Sequence, residues 1–358
     1  MLQHYLAHMR RFERHRALGR DDFSPITTWV AIAVAAVILP LCLGSYQLST
    51  VRDALIMGLL GLSYDLLWGR AGVLTLGHTT FFGLGAYGFA VATTQFGQTP
   101  AIGLVVGVIC AMSVAAMLGY FLLFAGVRLH FFAIISMAVL IIAQQLATSW
   151  QSVTGGDTGM LSIPGLSFTL AGYTVDLSGP RASWYAVATV LLVGLSVTWF
   201  ACRSQYGKIL AAIATNEWRA QACGYHTSWH LLRVFVVSAG MAAIAGALMA
   251  ACSGVVAPDV FSPVLATEVI LWVAVGGRGT LGGPVAAAVA LTLFKQSVSS
   301  FSTEWWPLML AALFLGCILF LPNGVRMRGI ATHAYRFARR CAARMTVRRT
   351  SHVEGGRR

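Results

Sequence analysis

The sequence predicts an all-α, polytopic membrane helical bundle with about ten transmembrane segments, some of them short or broken. Three observations predict it. Hydrophobic residues fill 57% of the 358 positions and charged residues only 10%, against about 25% charged in a soluble domain. Apolar runs of the roughly 17–25 residues that cross a bilayer recur along the whole length. Basic residues gather at both ends and in alternate connections, the positive-inside pattern.

The chain divides into a basic cytoplasmic N-terminal segment at 1–25, a membrane domain at 26–322 and a basic cytoplasmic tail at 323–358. Arg10, Arg11, Arg14, Arg16 and Arg20 precede the first span, and ten arginines from Arg326 to Arg358 follow the last. These account for most of the net charge of +13. Membrane lipid is the expected partner of both ends, at about 1 kcal/mol per basic residue near an anionic surface. No nucleic-acid partner is expected, because no aromatic-interleaved basic surface or known module accompanies the charge. The seven cysteines contain no C-x-x-C and mostly sit in or beside apolar runs, so they read as small apolar fillers.

In order, spans are expected at Ile26–Gly44, Ala54–Trp68, Gly72–Thr94, Ala101–Ala125 and Phe131–Ala147. The first, about 19 residues long, suits an uncleaved span better than a signal peptide. Asp53 is expected in a short outer loop. A turn-rich outer segment, Thr148–Ala182, carries Gly155, Gly156 and Asp157, with short strands or a helical turn. Further spans follow at Ser183–Cys202, Val234–Ser253, Leu265–Val275, Val285–Val298 and Trp305–Leu321. The segments 265–275 and 285–298 are short enough to be re-entrant or broken helices. On this count Arg70, Arg128, Arg278 and the whole segment from Arg203 to Arg233 fall on the cytoplasmic side with both termini.

That last segment is the longest polar interruption with helix-forming residues. Tyr206–Ala222 holds no proline and favours a helix, with Gly224 as its stop. It reads either as an ordinary basic connection or as a handle for another protein. Gly69-Arg70-Ala71-Gly72-Val73-Leu74 echoes Gly277-Arg278-Gly279-Thr280-Leu281, and paired glycine-interrupted segments point to a transport pathway.

Candidate pathway residues are Asp65, His78, Phe81, Phe82 and Glu268. A carboxylate inside a span costs about 2.5–3.5 kcal/mol at the bilayer centre and so faces a partner or water. Asp65 is close enough to the inner end to reach Arg70 or the headgroups, and Glu268 lies near the outer end. His78 sits among small residues and reads either as a cavity-facing group or as a packing residue. No P-loop, G-x-S-x-G or H-E-x-x-H occurs, so no catalytic residue and no cofactor is expected. Cys223, His226 and His230 have metal-like spacing, but Gly224 interrupts the helix and no fourth ligand is evident, so no metal is expected.

Three ordered stretches, Gly69–Tyr87, Gly207–Gly224 and Gly276–Pro284, resemble the inner-membrane permease subunits of branched-chain amino acid ABC importers, a family that includes urea and short-amide permeases. The turn at Thr154-Gly155-Gly156 is similar to the family's outer segment, and the resemblance spans about residues 50–325. It implies a coupling helix in which Glu217, Ala220, Ala222 and Gly224 match, while Trp218 and Arg219 depart from the expected aliphatic and alanine. It further implies a bacterial inner-membrane location, a second permease subunit, cytoplasmic ATP-binding subunits that hydrolyse ATP, and a periplasmic substrate-binding protein. That protein would be received around Gly155, Gly156 and Asp157. The implied solute is a branched-chain or other apolar amino acid. The alternatives are urea or a short amide, or, from another class, an ion-coupled secondary transporter in which Asp65 and Glu268 carry the ion. The orientation is directly testable: a reporter active only in the periplasm is expected to give signal when fused after Gly156 and none after Arg219, and the reverse pattern overturns the topology.

Overall fold

The computed structural model describes residues 39–40, 43–126, 129–170 and 173–299, together with 308–309, 311–312 and 316. The expected spans 26–44 and 305–321, and both basic ends, lie largely outside these residues. Every expected span from the second to the ninth is helical.

The order is α1 (Ser45–Tyr64), continued by a π turn at Asp65–Arg70, then α2 (His78–Thr94), α3 (Pro100–Phe124) and α4 (Leu129–Ser149). Next come a helical turn at Gln151–Thr154, a 3-10 turn at Gly156–Thr158 and a hairpin of β1 (Ser167–Leu170) and β2 (Tyr173–Asp176). The strands pair antiparallel, Ser167 opposite Asp176. Then follow α5 (Pro180–Arg203), α6 (Gln205–Thr215), α7 (Glu217–Ala222), α8 (Thr227–Ser253), a 3-10 turn at Pro258–Phe261, α9 (Pro263–Gly276) and α10 (Gly282–Ser299). Pro100, Pro180 and Pro263 open their helices at the first turn, where a missing N–H costs nothing.

Among the described residues, four helices are long and apolar enough to cross a membrane: α3, α4 from Phe131, α5 and α8. They divide by burial. The most apolar part of α8 is 78% buried, whereas that of α3, α4 and α5 is 22–28% buried. So α8 is the central column, and α3, α4 and α5 present apolar faces outward, with Ile109, Phe121, Ile142 and Phe200 well exposed. A membrane offers no hydrophobic drive between helices, so close approach depends on small residues. Along α8, Gly240, Ala242, Ala243, Ala245 and Gly246 are all buried. A Cβ on Gly246 would run into the Phe82 carbonyl of α2, and one on Gly85 of α2 into the Ala243 carbonyl. The Gly103–Gly107 pair of α3 packs on α2 in the same way.

Four sequence-based boundaries are corrected. The second span begins at Ser45, not Ala54, so Asp53 lies inside α1. Its carboxylate pairs with Arg52 at 2.9 Å. Arg52 also donates to Ser183 Oγ and the Cys252 carbonyl, and this mutual neutralisation lets two charges sit in a helix that an apolar scan ends before them. The third span begins at His78, not Gly72, because Gly72 is left-handed at φ 78° and the chain to Gly77 is irregular. The seventh helix starts at Thr227 rather than Val234 and has 27 residues. The ninth covers Gly282–Ser299, 18 residues rather than a short run. α9, with 14 residues, is as short as expected, about 21 Å against the roughly 30 Å of hydrocarbon.

Gly246→Val is expected to lose most folded protein, since the new Cβ meets backbone that cannot rotate away. Overpacking alone costs about 1–3 kcal/mol. Gly179→Ala, with nothing within 4 Å of the new methyl, is the control. Monodispersity on size exclusion after detergent extraction, and the melting temperature, check this; equal profiles would remove the close α2–α8 contact.

Candidate functional site

The end of the bundle that carries α6 and α7 is the polar end; the opposite end, with residues 150–179 and the 3-10 turn at Pro258–Phe261, is the loop end. The structure distributes the candidate residues over both ends and the centre.

At the polar end, the two echoed glycine segments meet. Asp65 is fully buried, and its Oδ1 and Oδ2 accept the backbone N–H groups of Gly279 and Leu281 at 2.6 and 3.2 Å. The Arg278 guanidinium lies 3.7 Å over the Trp68 ring. A side chain on Gly69 would collide with both Asp65 and the Gly279 N–H, so glycine is required for this approach. The turn between α9 and α10 bends through Gly277 at φ 90° and Gly279 at φ 76°, which frees its N–H groups to point at one carboxylate. Main-chain donors on another helix pair thus join Arg70, whose charge also acts on Asp65. Satisfying irregular backbone at membrane depth from within the protein is what the bilayer demands.

In the centre, His78 and Phe81 are buried in a polar and aromatic cluster. Ser63 Oγ donates to the Leu60 carbonyl and lies 2.9 Å from His78 Nε2. Nδ1 has no partner among the described residues. Tyr64 donates to the Thr75 carbonyl, Ser238 to that of Ser63, and Ser136 Oγ accepts from Leu76 and Gly77. These bonds supply the irregular stretch before α2. Rings continue from Tyr64 through His78, Phe81 and Phe235 to Phe132, with neighbouring centroids 5.3–6.1 Å apart.

At the loop end, Phe82 and Glu268 line a cavity of about 230 Å³ with Asp259 and Lys295. Lys295 Nζ donates to Glu268 Oε1 at 2.6 Å. This pairing was not read from the sequence, although Lys295 is the one lysine in the 285–298 span. Near it, Gly155, Gly156 and Gly159 adopt positive φ and shape the exposed turn that holds Asp157. Met160 pairs with Val256, and Ile163 donates to Gly254, fastening this segment to the end of α8.

The polar segment is two helices, not the single one expected over Tyr206–Ala222. Asn216 breaks it with extended φ −160°, and its side chain caps α7 by accepting the Arg219 N–H at 3.0 Å. Gly224, at φ 88°, ends α7, and Tyr225 N–H returns to the Ala220 carbonyl. Glu217 Oε1 accepts from Thr227, which also accepts from Gln221, and Ala220 is buried. The surface of α7 is therefore formed by Trp218, 83% exposed, with Arg219 and Ala222. Tyr206 donates to the His230 carbonyl, and burial raises its phenol pKa, so α6 stays tied to α8 across the neutral range. On its other side α6 sets Ala214 against Gly72, directly beside the Asp65 contact. Among the described residues, no group of three or more His, Cys, Asp or Glu is arranged to hold a metal.

Apolar helices with exposed outer faces, buried charges met by internal partners, and a capped polar helix pair packed on the bundle define a multi-pass membrane permease. The chain belongs to the family described as branched-chain amino acid transport system / permease component, whose model matches residues 46–319. It is 29% identical to the high-affinity branched-chain amino acid transport system permease protein LivM of Salmonella typhimurium, over 83% of this chain and 73% of that protein. Identity to the Escherichia coli K12 LivM is 28% over the same shares. Identity to the Escherichia coli K12 permease protein LivH is 24%, over 75% of this chain and 90% of LivH. No solved structure matches the chain significantly.

Asp65→Ala leaves two backbone donors without their acceptor, at about 1–3 kcal/mol for each group left unmet. Thermal melting in detergent is expected to order wild type above Asp65→Asn, which keeps one acceptor oxygen, and Asp65→Asn above Asp65→Ala. Equal melting of all three would remove the structural role of this contact.

Proposed function

We propose that this chain is one of two paired permease subunits of an ATP-driven importer that carries branched-chain amino acids inward across a bacterial inner membrane. The observation that carries the reading is its likeness, over 83% of its length, to permeases named for high-affinity branched-chain amino acid transport. The chain itself is the conduit; ATP is hydrolysed on separate cytoplasmic subunits. Both termini and the segment 203–233 face the cytoplasm, and anionic membrane lipid is the partner of the basic ends 1–25 and 323–358 that flank the membrane domain 26–322 in sequence. A periplasmic binding protein delivers solute at the turn of Gly155, Gly156 and Asp157. Solute then passes Phe82 and Glu268 toward His78 and Phe81, with Asp65 at the cytoplasmic end of the route.

Coupling falls to Glu217, Ala220, Ala222 and Gly224. The contacts of α7 give them distinct tasks. Glu217 and Ala220 hold the helix to the start of α8, Gly224 sets its exit, and exposed Trp218 offers the apolar surface that an ATP-binding subunit buries. A rigid, capped helix packed through α6 on Gly72 delivers a push to the bundle rather than absorbing it.

Gly224→Val puts a β-branched residue at positive φ, where it fits poorly, and Trp218→Ala removes the exposed ring. Both variants are expected in the membrane at wild-type levels, with reduced co-purification of the ATP-binding subunit and reduced leucine uptake into vesicles of the full complex. Normal co-purification and uptake by both would make this segment a mere connection. Uptake that persists without any ATP-binding subunit would replace the reading by ion-coupled transport.

A further inference from the structure

We propose that the loop-end cavity is a subsite for the paired charges of a zwitterionic α-amino acid, with Lys295 facing the carboxylate and Asp259 and Glu268 the ammonium. The inference rests on the substrate reading above and adds to it where in this chain, and by what chemistry, the solute is recognised.

The cavity measures about 230 Å³, below the roughly 300 Å³ where sites for drug-sized ligands begin. It suits a small solute. Its walls join two kinds of surface. Met57 of α1, Phe82 of α2, Met249 of α8 and Leu265 of α9 are apolar, while Asp259, Glu268 and Lys295 bring charges of both signs. A branched-chain amino acid has the same two halves: one aliphatic group, and one ammonium and one carboxylate on a single carbon. The two methionines are unbranched and polarisable, so they adapt to aliphatic side chains of differing shape.

The charges are costly here. The Glu268 side chain is 4% exposed and that of Lys295 39% exposed. Withdrawing the Glu268 carboxylate from water is costly, and well-packed apolar residues of similar volume commonly do as well or better for stability. Ionisable groups within membrane helices therefore mark pathways, and their partners sit with them. The pair crosses between α9 and α10, five residues into one helix and near the end of the other, and both members line the cavity. Asp259 comes from a third element, the 3-10 turn Pro258–Phe261. That turn is anchored by Phe261, whose ring stacks on Tyr87 at 5.6 Å and 13° and covers Gly83, where any side chain would collide. One cation, paired with Glu268, thus shares the cavity lining with a second carboxylate held on a separate element. An arriving ammonium is attracted to the carboxylates while an arriving carboxylate shares Lys295. A neutral amide gains neither attraction, and a monocarboxylate meets repulsion from Asp259 and Glu268.

Val264, which lines the same cavity and is 50% exposed, supplies a probe independent of the binding protein. The Val264→Cys complex in nanodiscs is treated with a maleimide, and modification of the peptide containing position 264 is followed by mass spectrometry. Leucine is expected to slow that modification severalfold. Isovalerate, which lacks the ammonium, is expected to leave it unchanged; leucinamide, which keeps the ammonium but lacks the carboxylate, is expected to slow it less than leucine does; and adding Lys295→Met abolishes the advantage of leucine over leucinamide. Leucine uptake is measured in parallel on the full complex with the native residue at 264. Uptake of leucine with no protection, or equal protection by all three compounds, overturns the subsite and leaves the transport reading standing. Import of urea but not leucine, with protection by urea, overturns both.

Discussion

A single carboxylate organises the polar end of this permease. Asp65 accepts two main-chain N–H groups from the turn between α9 and α10, and that turn is otherwise an irregular stretch inside a membrane bundle. A buried N–H left unmet is costly, so Asp65 supplies what the two inward-facing donors of this turn need. The demand propagates. Asp65 must approach closely, so position 69 is glycine. The turn must present its donors inward, so Gly277 and Gly279 take positive φ. The chain after Asp65 must leave the helix, and it does so through a π turn and Gly72, whose own loose polar groups are collected by Tyr64 and Ser136. The family-like motifs Gly69–Tyr87 and Gly276–Pro284 are in this sense two halves of one contact.

This explains what was legible in the sequence. The helical membrane class, and the existence of every described span, follow from apolar runs, because composition alone forces them. The short α9 was legible for the same reason. The errors lie where side chains neutralise one another. Arg52 and Asp53 look like loop residues until their mutual bond is known. The start of α2 was misread because the apolar run extends through Gly72–Leu76, whose backbone is satisfied from Tyr64 and Ser136, partners distant in sequence or unremarkable in type. Asn216 was missed as a break because one capping asparagine weighs little against a favourable helical window, although its position just before Glu217 is a signature of a helix start.

The site was less legible than the fold. Asp65 and Glu268 stood out because a carboxylate is rare in a span, yet their partners lie 214 and 27 residues away along the chain. Lys295 carried a signal of its own, as a lysine within an apolar run, that points to Glu268 once α9 and α10 are seen as an antiparallel hairpin. Glu217 was legible as part of the coupling stretch, but which residues of that stretch face outward depended on Thr227, seven positions past the centre of α7 and outside the motif. Sequence motifs identify a segment; the facing of its side chains is set by neighbours that the motif does not contain.

The arrangement also gives a physical route between the two ends. α6 rests on Gly72, Gly72 adjoins the π turn, and the π turn holds the α9–α10 turn through Asp65. From that turn α9 and α10 run to the loop end, where Glu268 and Lys295 join them again. A hairpin of two helices clamped at both ends by ionic or charge-assisted bonds moves as a unit more readily than it bends, because bending would break bonds worth roughly twice a neutral hydrogen bond. The small-residue surface between α2 and α8 behaves differently. There backbone meets backbone at Gly246 and Gly85 with no side chain to rearrange, so this pair is the fixed frame.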